Sequence, residues 1–259
     1  MAQVNGIGGI FFGAEDPQKL KAWYERHLGI TNIFLWRDAD HPSTPGHTLW
    51  NVFPKTSRMF DQTTKEFVIN YRVDDLVTLL STLAKEGCTI IGEMESNDDG
   101  KSAYLLDVEH NKIVLWEPSA KIPNVASRKL DRVTGIGGIF FKTTDKAKLK
   151  EWYVKKLGLN ITKWGCTFQW IDQNDTEAKV PARTEWSPFP SDTDYFQPSQ
   201  KEFMFNYRVK DLVKLTQNLK SEGVEIVSEI QEFSYGKFTW IVDPEMNKIE
   251  LWEPKDDGF

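Results

Sequence analysis

Glu250 is the residue whose type and spacing point most directly to chemistry. It stands in Ile249-Glu250-Leu251-Trp252, a single carboxylate between apolar neighbours. The surrounding stretch, 237–254, reads KFTWIVDPEMNKIELWEP. The pattern predicts an apolar strand, a tight turn at Asp243-Pro244 and a returning strand that carries the acid. The same stretch occurs at 101–118 as KSAYLLDVEHNKIVLWEP, with Val114 in place of the carboxylate. An acid in such a slot can act as a general acid or base or bind a metal. It can equally pair with a basic neighbour or sit at an exposed strand edge.

The other reactive side chains offer less. Cys88 and Cys166 occupy non-equivalent places in the repeat, which argues against a shared disulfide framework, and neither has a local catalytic signature. Of the four histidines, His27 falls at a helix end, His41 in a loop and His110 in the turn that matches Asp243-Pro244-Glu245-Met246-Asn247. Only His47 sits at strand spacing near an interesting position. No phosphate loop, nucleophile elbow, zinc spacing or dinucleotide fingerprint occurs.

The elements that would position these residues come in duplicate. Residues 4–30 read VNGIGGIFFGAEDPQKLKAWYERHLGI and residues 133–159 read VTGIGGIFFKTTDKAKLKEWYVKKLGL. Roughly 16 of 27 positions match, at a shift of about 129. Residues 65–118 and 201–254 match at about half their positions, at a shift of about 136. The second copy therefore carries extra residues between 161 and 184. The expected division is 1–118, a polar linker at 119–132, and 133–259.

Each copy holds two units of one layout. The first opens with a Gly- and Phe-rich buried strand, 6–12. Asp16-Pro17 then starts a helix, and Leu20, Trp23, Tyr24 and Leu28 make one apolar face that Gly29 ends. Strands are expected at 32–37 and 47–53. The second unit has a strand at 66–73, a helix capped by Asp74 or Asp75, and strands at 89–94, 102–107 and 113–117. The second copy repeats this, with helices near 145–157 and 210–222.

The bulk numbers fit two globular copies. The 259 residues are 40% hydrophobic and 27% charged, include ten Trp, and carry a net charge of -6. That balance, without a basic face, argues against nucleic acid as a partner. No run of about 18 apolar residues suggests a membrane span. The N-terminal MAQVNGIGG does not read as a signal peptide, and the cysteine usage fits a reducing, cytoplasmic setting.

Asp16, Leu20, Trp23-Tyr24 and Leu28-Gly29, closed by the Asp243-Pro244-Glu245-Met246-Asn247 turn and Ile249-Glu250-Leu251, resemble the glyoxalase/bleomycin-resistance/extradiol dioxygenase modules of the vicinal oxygen chelate superfamily. The resemblance covers nearly the whole chain, twice. It implies an α+β fold of four βαβββ modules in two tandem glyoxalase-like domains, each curling a sheet into a cup. It also implies a four-ligand metal site, usually of His and Glu. In the second copy those positions fall on Gly138, Glu185, Met204 and Glu250, with Asn206 two residues beyond Met204 on the same face. In the first copy they fall on Gly9, Leu49, Val68 and Val114. Both expected His are thus absent from the second copy, and all four ligands from the first.

The resulting expectation is a small-molecule cavity in the C-terminal domain, with Glu185 and Glu250 as catalytic residues and as the ligands of a divalent metal, if one is held. Asn206, Trp240 and Tyr235 are the expected ligand contacts. The chemistry would be a lyase or isomerase reaction through an enolate. The alternative is a metal-free protein that binds or sequesters a small molecule, as bleomycin-resistance proteins do. The expected partner is a small molecule, with neither nucleic acid nor membrane involved. The chain is expected to be a monomer with pseudo-symmetric halves or a homodimer.

Overall fold

The repeated Gly-Ile-Gly-Gly-Ile-Phe-Phe run forms the first strand of each half, β1 (Val4–Ala14) and β8 (Val133–Thr143). This computed structural model describes residues 3–119, 132–173 and 181–255. The expected linker therefore lies almost wholly outside the described residues, as does part of the insertion before 184.

The first helices are α1 (Pro17–Leu28) and α3 (Lys146–Leu157). Asp16 and Asp145 cap them by accepting the backbone N–H three residues on. Gly29 and Gly158, both at φ 70°, end them in the left-handed conformation. Two strands follow each helix: β2 (Ile33–Asp38) and β3 (Pro45–Pro54), then β9 (Cys166–Asp172) and β10 (Ala182–Pro190).

The second units are longer. In the N-terminal half, β4 (Phe67–Val73), α2 (Leu76–Lys85), β5 (Thr89–Asn97), β6 (Gly100–Leu106) and β7 (Lys112–Pro118) succeed one another. Their counterparts are β11 (Phe203–Val209), α4 (Leu212–Ser221), β12 (Gln231–Phe233), β13 (Gly236–Val242) and β14 (Lys248–Pro254). The α+β class and the repeated strand-helix-strand order are as expected.

Among the described residues all 14 strands join one sheet, in the order β12-β13-β14-β11-β8-β10-β9-β2-β3-β1-β4-β7-β6-β5. Within each half the two opening strands lie side by side and antiparallel, β1 with β4 and β8 with β11. The halves join through antiparallel β2 and β9, where Arg37 faces Ile171. No described helix is long and apolar enough to cross a membrane.

The two-residue alternation of strands divides each half into two apolar layers. Ile10 and Phe12, with Ile139 and Phe141, enter one large core that both halves share. The ring of Phe12 packs on Phe203 and Phe205, and that of Phe67 on Phe141. Phe11 and Phe140 face the other way, into separate clusters, one per half.

Contacts between the halves come in matched pairs. The Tyr24 hydroxyl donates to Asp243 Oδ2 (2.9 Å) and that of Tyr153 to Asp107 Oδ2 (3.1 Å). Trp50 Nε1 donates to the Tyr207 hydroxyl and Trp186 Nε1 to that of Tyr71. The turn acids cross over as well: Glu245 accepts from the backbone at Asp16, and Glu109 from that at Asp145. Each thus places a negative charge at the start of the other half's helix.

Candidate functional site

The separate cluster of the C-terminal half contains Glu250. One row of residues crosses this face, with Glu185 of β10 opposite Gly138 of β8, Gly138 opposite Asn206 of β11, Asn206 opposite Glu250 of β14, and Glu250 opposite Trp240 of β13. The row corrects one sequence expectation. Met204 is not its third member, since it pairs with Phe140 and is fully buried in the apolar cluster. The physical reason lies in β8, where Thr134 and Gly137 have no partners in β11, and each such bulge advances the register. The same happens at Asn5 and Gly8 in β1, so the N-terminal row runs Leu49, Gly9, Asn70, Val114, Tyr104, with Asn70 in the place expected for Val68.

The Glu250 side chain is buried, with 2% of the residue exposed. Its Oε1 accepts from Asn206 Nδ2 at 2.5 Å. Its Oε2 accepts from Trp240 Nε1 at 2.8 Å and from the Tyr195 hydroxyl. Burial pushes its pKa above the usual carboxylate value, and the three donors and Lys248 partly offset that shift. Phe140, Met204, Phe238 and Trp252 complete an apolar wall. The glycine at 137 makes room for the amide, because a Cβ there would lie 2.2 Å from Asn206 Oδ1.

Tyr195 is the member that sequence reasoning did not select. It lies on the turn-rich strap 191–201 between β10 and β11. Its ring stacks on Phe189 (centroids 5.3 Å apart, planes at 2°) and meets Trp240 edge-on. The strap is tied down by Lys248 Nζ, which donates to the Tyr195 carbonyl at 2.6 Å, and by Phe196, which is fully buried. Burial lowers the pKa of that lysine. A signal for Tyr195 did exist in the repeat: at a shift of about 136, Val114, Met59 and Tyr104 of the first copy become Glu250, Tyr195 and Trp240. The acid and two of its donors change together.

Neither Glu185 nor Tyr235 bonds to Glu250: Glu185 has its own partner, and Tyr235 lies at the outer edge of the wall, against Phe238. Glu185 is half-buried and bonded to Thr167 Oγ1 at 2.8 Å. Its strand is three places from β14 in the sheet. Burial raises its pKa, Thr167 and Arg183 oppose the shift, and Glu250 takes no part. Tyr235 is exposed on the β12–β13 hairpin, where its ring stacks on Phe233 and meets Phe238 edge-on. His47 packs against Trp116 in the N-terminal half, and burial lowers its pKa.

The residues present do not fit the expected divalent metal. Among the described residues no three His, Cys, Asp or Glu side chains gather into a ligand group. Both Glu250 oxygens face N–H or O–H donors, whose hydrogens would confront a cation. Glu185, the second expected ligand, is bonded to Thr167 instead.

No protein-family model matches the sequence, and no curated protein matches it. Solved structures do match in shape. The Mn(II)-bound glyoxalase from Novosphingobium aromaticivorans aligns at a TM-score of 0.61 and 15% identity, over 99% of this chain and 85% of that one. A catechol 2,3-dioxygenase aligns at 0.59 and 14%, over 98% and 89%. The 2,2',3-trihydroxybiphenyl 1,2-dioxygenase from Sphingomonas wittichii strain RW1 aligns at 0.55 and 13%, over 98% and 92%. At these identities the likeness establishes the fold, which this chain shares with glyoxalases and extradiol dioxygenases along almost its full length.

Proposed function

We propose, from that shared fold, that the C-terminal half is a metal-independent module that holds a small organic molecule against Glu250. The observation that carries this reading is the donor set of the acid: three neutral donors from three different elements converge on one buried carboxylate in an aromatic wall. Such a wall supplies affinity, and a single fixed acceptor supplies orientation. On this reading 1–118 and 133–259 are the two domains, and the first, with Leu49, Met59 and Val114 in the corresponding places, acts as support.

A lyase or isomerase acting through an enolate is the second reading. It draws on the raised pKa of Glu250, since a carboxylate of that kind takes up a proton more readily. One set of measurements separates the two. Metal content is measured on the purified chain, and small aromatic and carbonyl compounds are screened by thermal shift and for turnover. Binding without stoichiometric metal and without turnover, weakened at least about tenfold in Glu250→Gln, supports the binding reading. One tightly held divalent ion per chain, lost in Glu250→Gln, overturns it.

A further inference from the structure

Tyr195 is the one hydrogen-bond donor to Glu250 that the sheet does not carry. Its hydroxyl supplies one of the three donors, its ring fills the space between Phe189 and Trp240, and its backbone belongs to a surface strap rather than to the sheet. The anchors of the strap lie beside the tyrosine: Lys248 passes over its ring at 5.3 Å and Phe196 meets it at 6.4 Å, but each also has a hold that does not need the ring, Lys248 on the Tyr195 carbonyl and Phe196 in the cluster. Rotation of that side chain would give up its ring contacts with Lys248 and Phe196 and vacate a ring-sized slot, while the Lys248 bond to the backbone carbonyl would still hold the strap. The other two donors, Asn206 and Trp240, stand on β11 and β13 and are fixed by the sheet.

The N-terminal half supplies the internal comparison. Its strap has the same kind of anchors, with Lys112 Nζ donating to the Arg58 carbonyl at 2.9 Å, one residue before the match of Tyr195, and Phe60 buried beneath. The residue matching Tyr195 there is Met59, which packs in the cluster of Val114. Strap and lysine are thus common to both halves, so they belong to the fold. The phenol and the acid occur together in one half only, so they form a separate device.

We propose that Tyr195 is a gate that mimics the ligand, and that the C-terminal cup takes flat aromatic molecules bearing an O–H or N–H donor, which bind by displacing the Tyr195 ring and donating to Glu250. This rests on the binding reading above. The ligand class follows from the site: parallel and edge-on aromatic surfaces select a flat ring, and a carboxylate already holding two fixed donors selects one more. A ligand without a donor would leave that acceptor site empty in a buried position, at a cost in affinity.

The probe is p-cresol, which reproduces the displaced side chain, with toluene as the donor-free control. Calorimetric titration of the full chain is expected to give saturable binding of p-cresol, with toluene at least about tenfold weaker. Tyr195→Phe keeps the ring and removes the competing hydroxyl, so it should bind p-cresol about tenfold more tightly than the wild type. Glu250→Gln should bind it about tenfold more weakly, with circular dichroism confirming the fold. Where Glu250→Gln folds poorly, Tyr195→Phe decides alone. Unchanged p-cresol affinity in Tyr195→Phe, equal affinity for toluene, or no binding to either protein overturns the gate. Metal-free binding of some other molecule, indifferent to Tyr195, sinks the gate and leaves the binding reading standing. Stoichiometric metal lost in Glu250→Gln sinks the binding reading itself.

Discussion

A buried carboxylate is tolerated only where its surroundings are built for it, and the chain offers a way to measure that requirement. Val114→Glu would place an acid in the N-terminal cluster beside Met59 and Tyr104. With Asn70 as the only counterpart of the three donors, a loss of about 3 kcal/mol is expected in urea unfolding. Adding Met59→Tyr and Tyr104→Trp should recover at least about 1 kcal/mol of it. Glu250 also makes stability depend on pH. Its pKa is raised in the folded state, so the native chain binds the proton more tightly than the unfolded chain does. The contribution of Glu250 to stability is therefore fully present below the ordinary carboxylate value of 4.5 and is lost as pH rises above it, through the raised value. Glu250→Gln should flatten that decline, and parallel profiles for the two proteins would refute the assignment. Glu250, Asn206 and Trp240 were legible in the sequence, because strand alternation and the repeat put them on one face. Tyr195 was legible only as a change from Met59 in the repeat, because a strap has no periodicity from which to read the direction of a side chain.

At the level of elements, the bulges in β8 set which side chains meet. Gly137 is one of the unpaired residues, and Asn206 Oδ1 lies over it. Gly137→Ala should cost about 1–3 kcal/mol and disturb the Asn206 bond to Glu250, visible as a shifted Asn206 amide resonance. The strands and helices themselves were readable from alternation, from apolar faces and from the Asp and Gly that bound the helices. The bulges were not, since one extra residue leaves an apolar strand looking like an apolar strand. That is why counting back along β11 reached Met204 instead of Asn206. His27 shows the same limit. It reads as a helix-end residue, yet it is buried and lies 2.7 Å from Glu222 of the other half. Nothing local in the sequence announces a partner 195 residues away.

At the level of the molecule, the halves share one sheet and one principal core. They are expected to unfold together, because separating them would strip cover from Phe12, Phe67, Phe141 and Phe203 at once. Tryptophan fluorescence and far-UV circular dichroism should therefore report coincident urea transitions, whereas two resolved transitions would show independent halves. Repetition made the duplication readable. The joining of the copies through β2 and β9 was not readable, because those strands are short and their pairing depends on a turn of the chain in space. Among the described residues the sheet that results is open at both ends, at β12 and β5. An open edge is a template on which foreign strands can stack into fibres. Here β12 is only three residues long, and β5 is broken at Gly92, with φ at 69° and exposed Glu93 and Glu95 beside it. A kinked, acidic border refuses a neighbour of the same kind, so the extended sheet ends in two safeguards against aggregation.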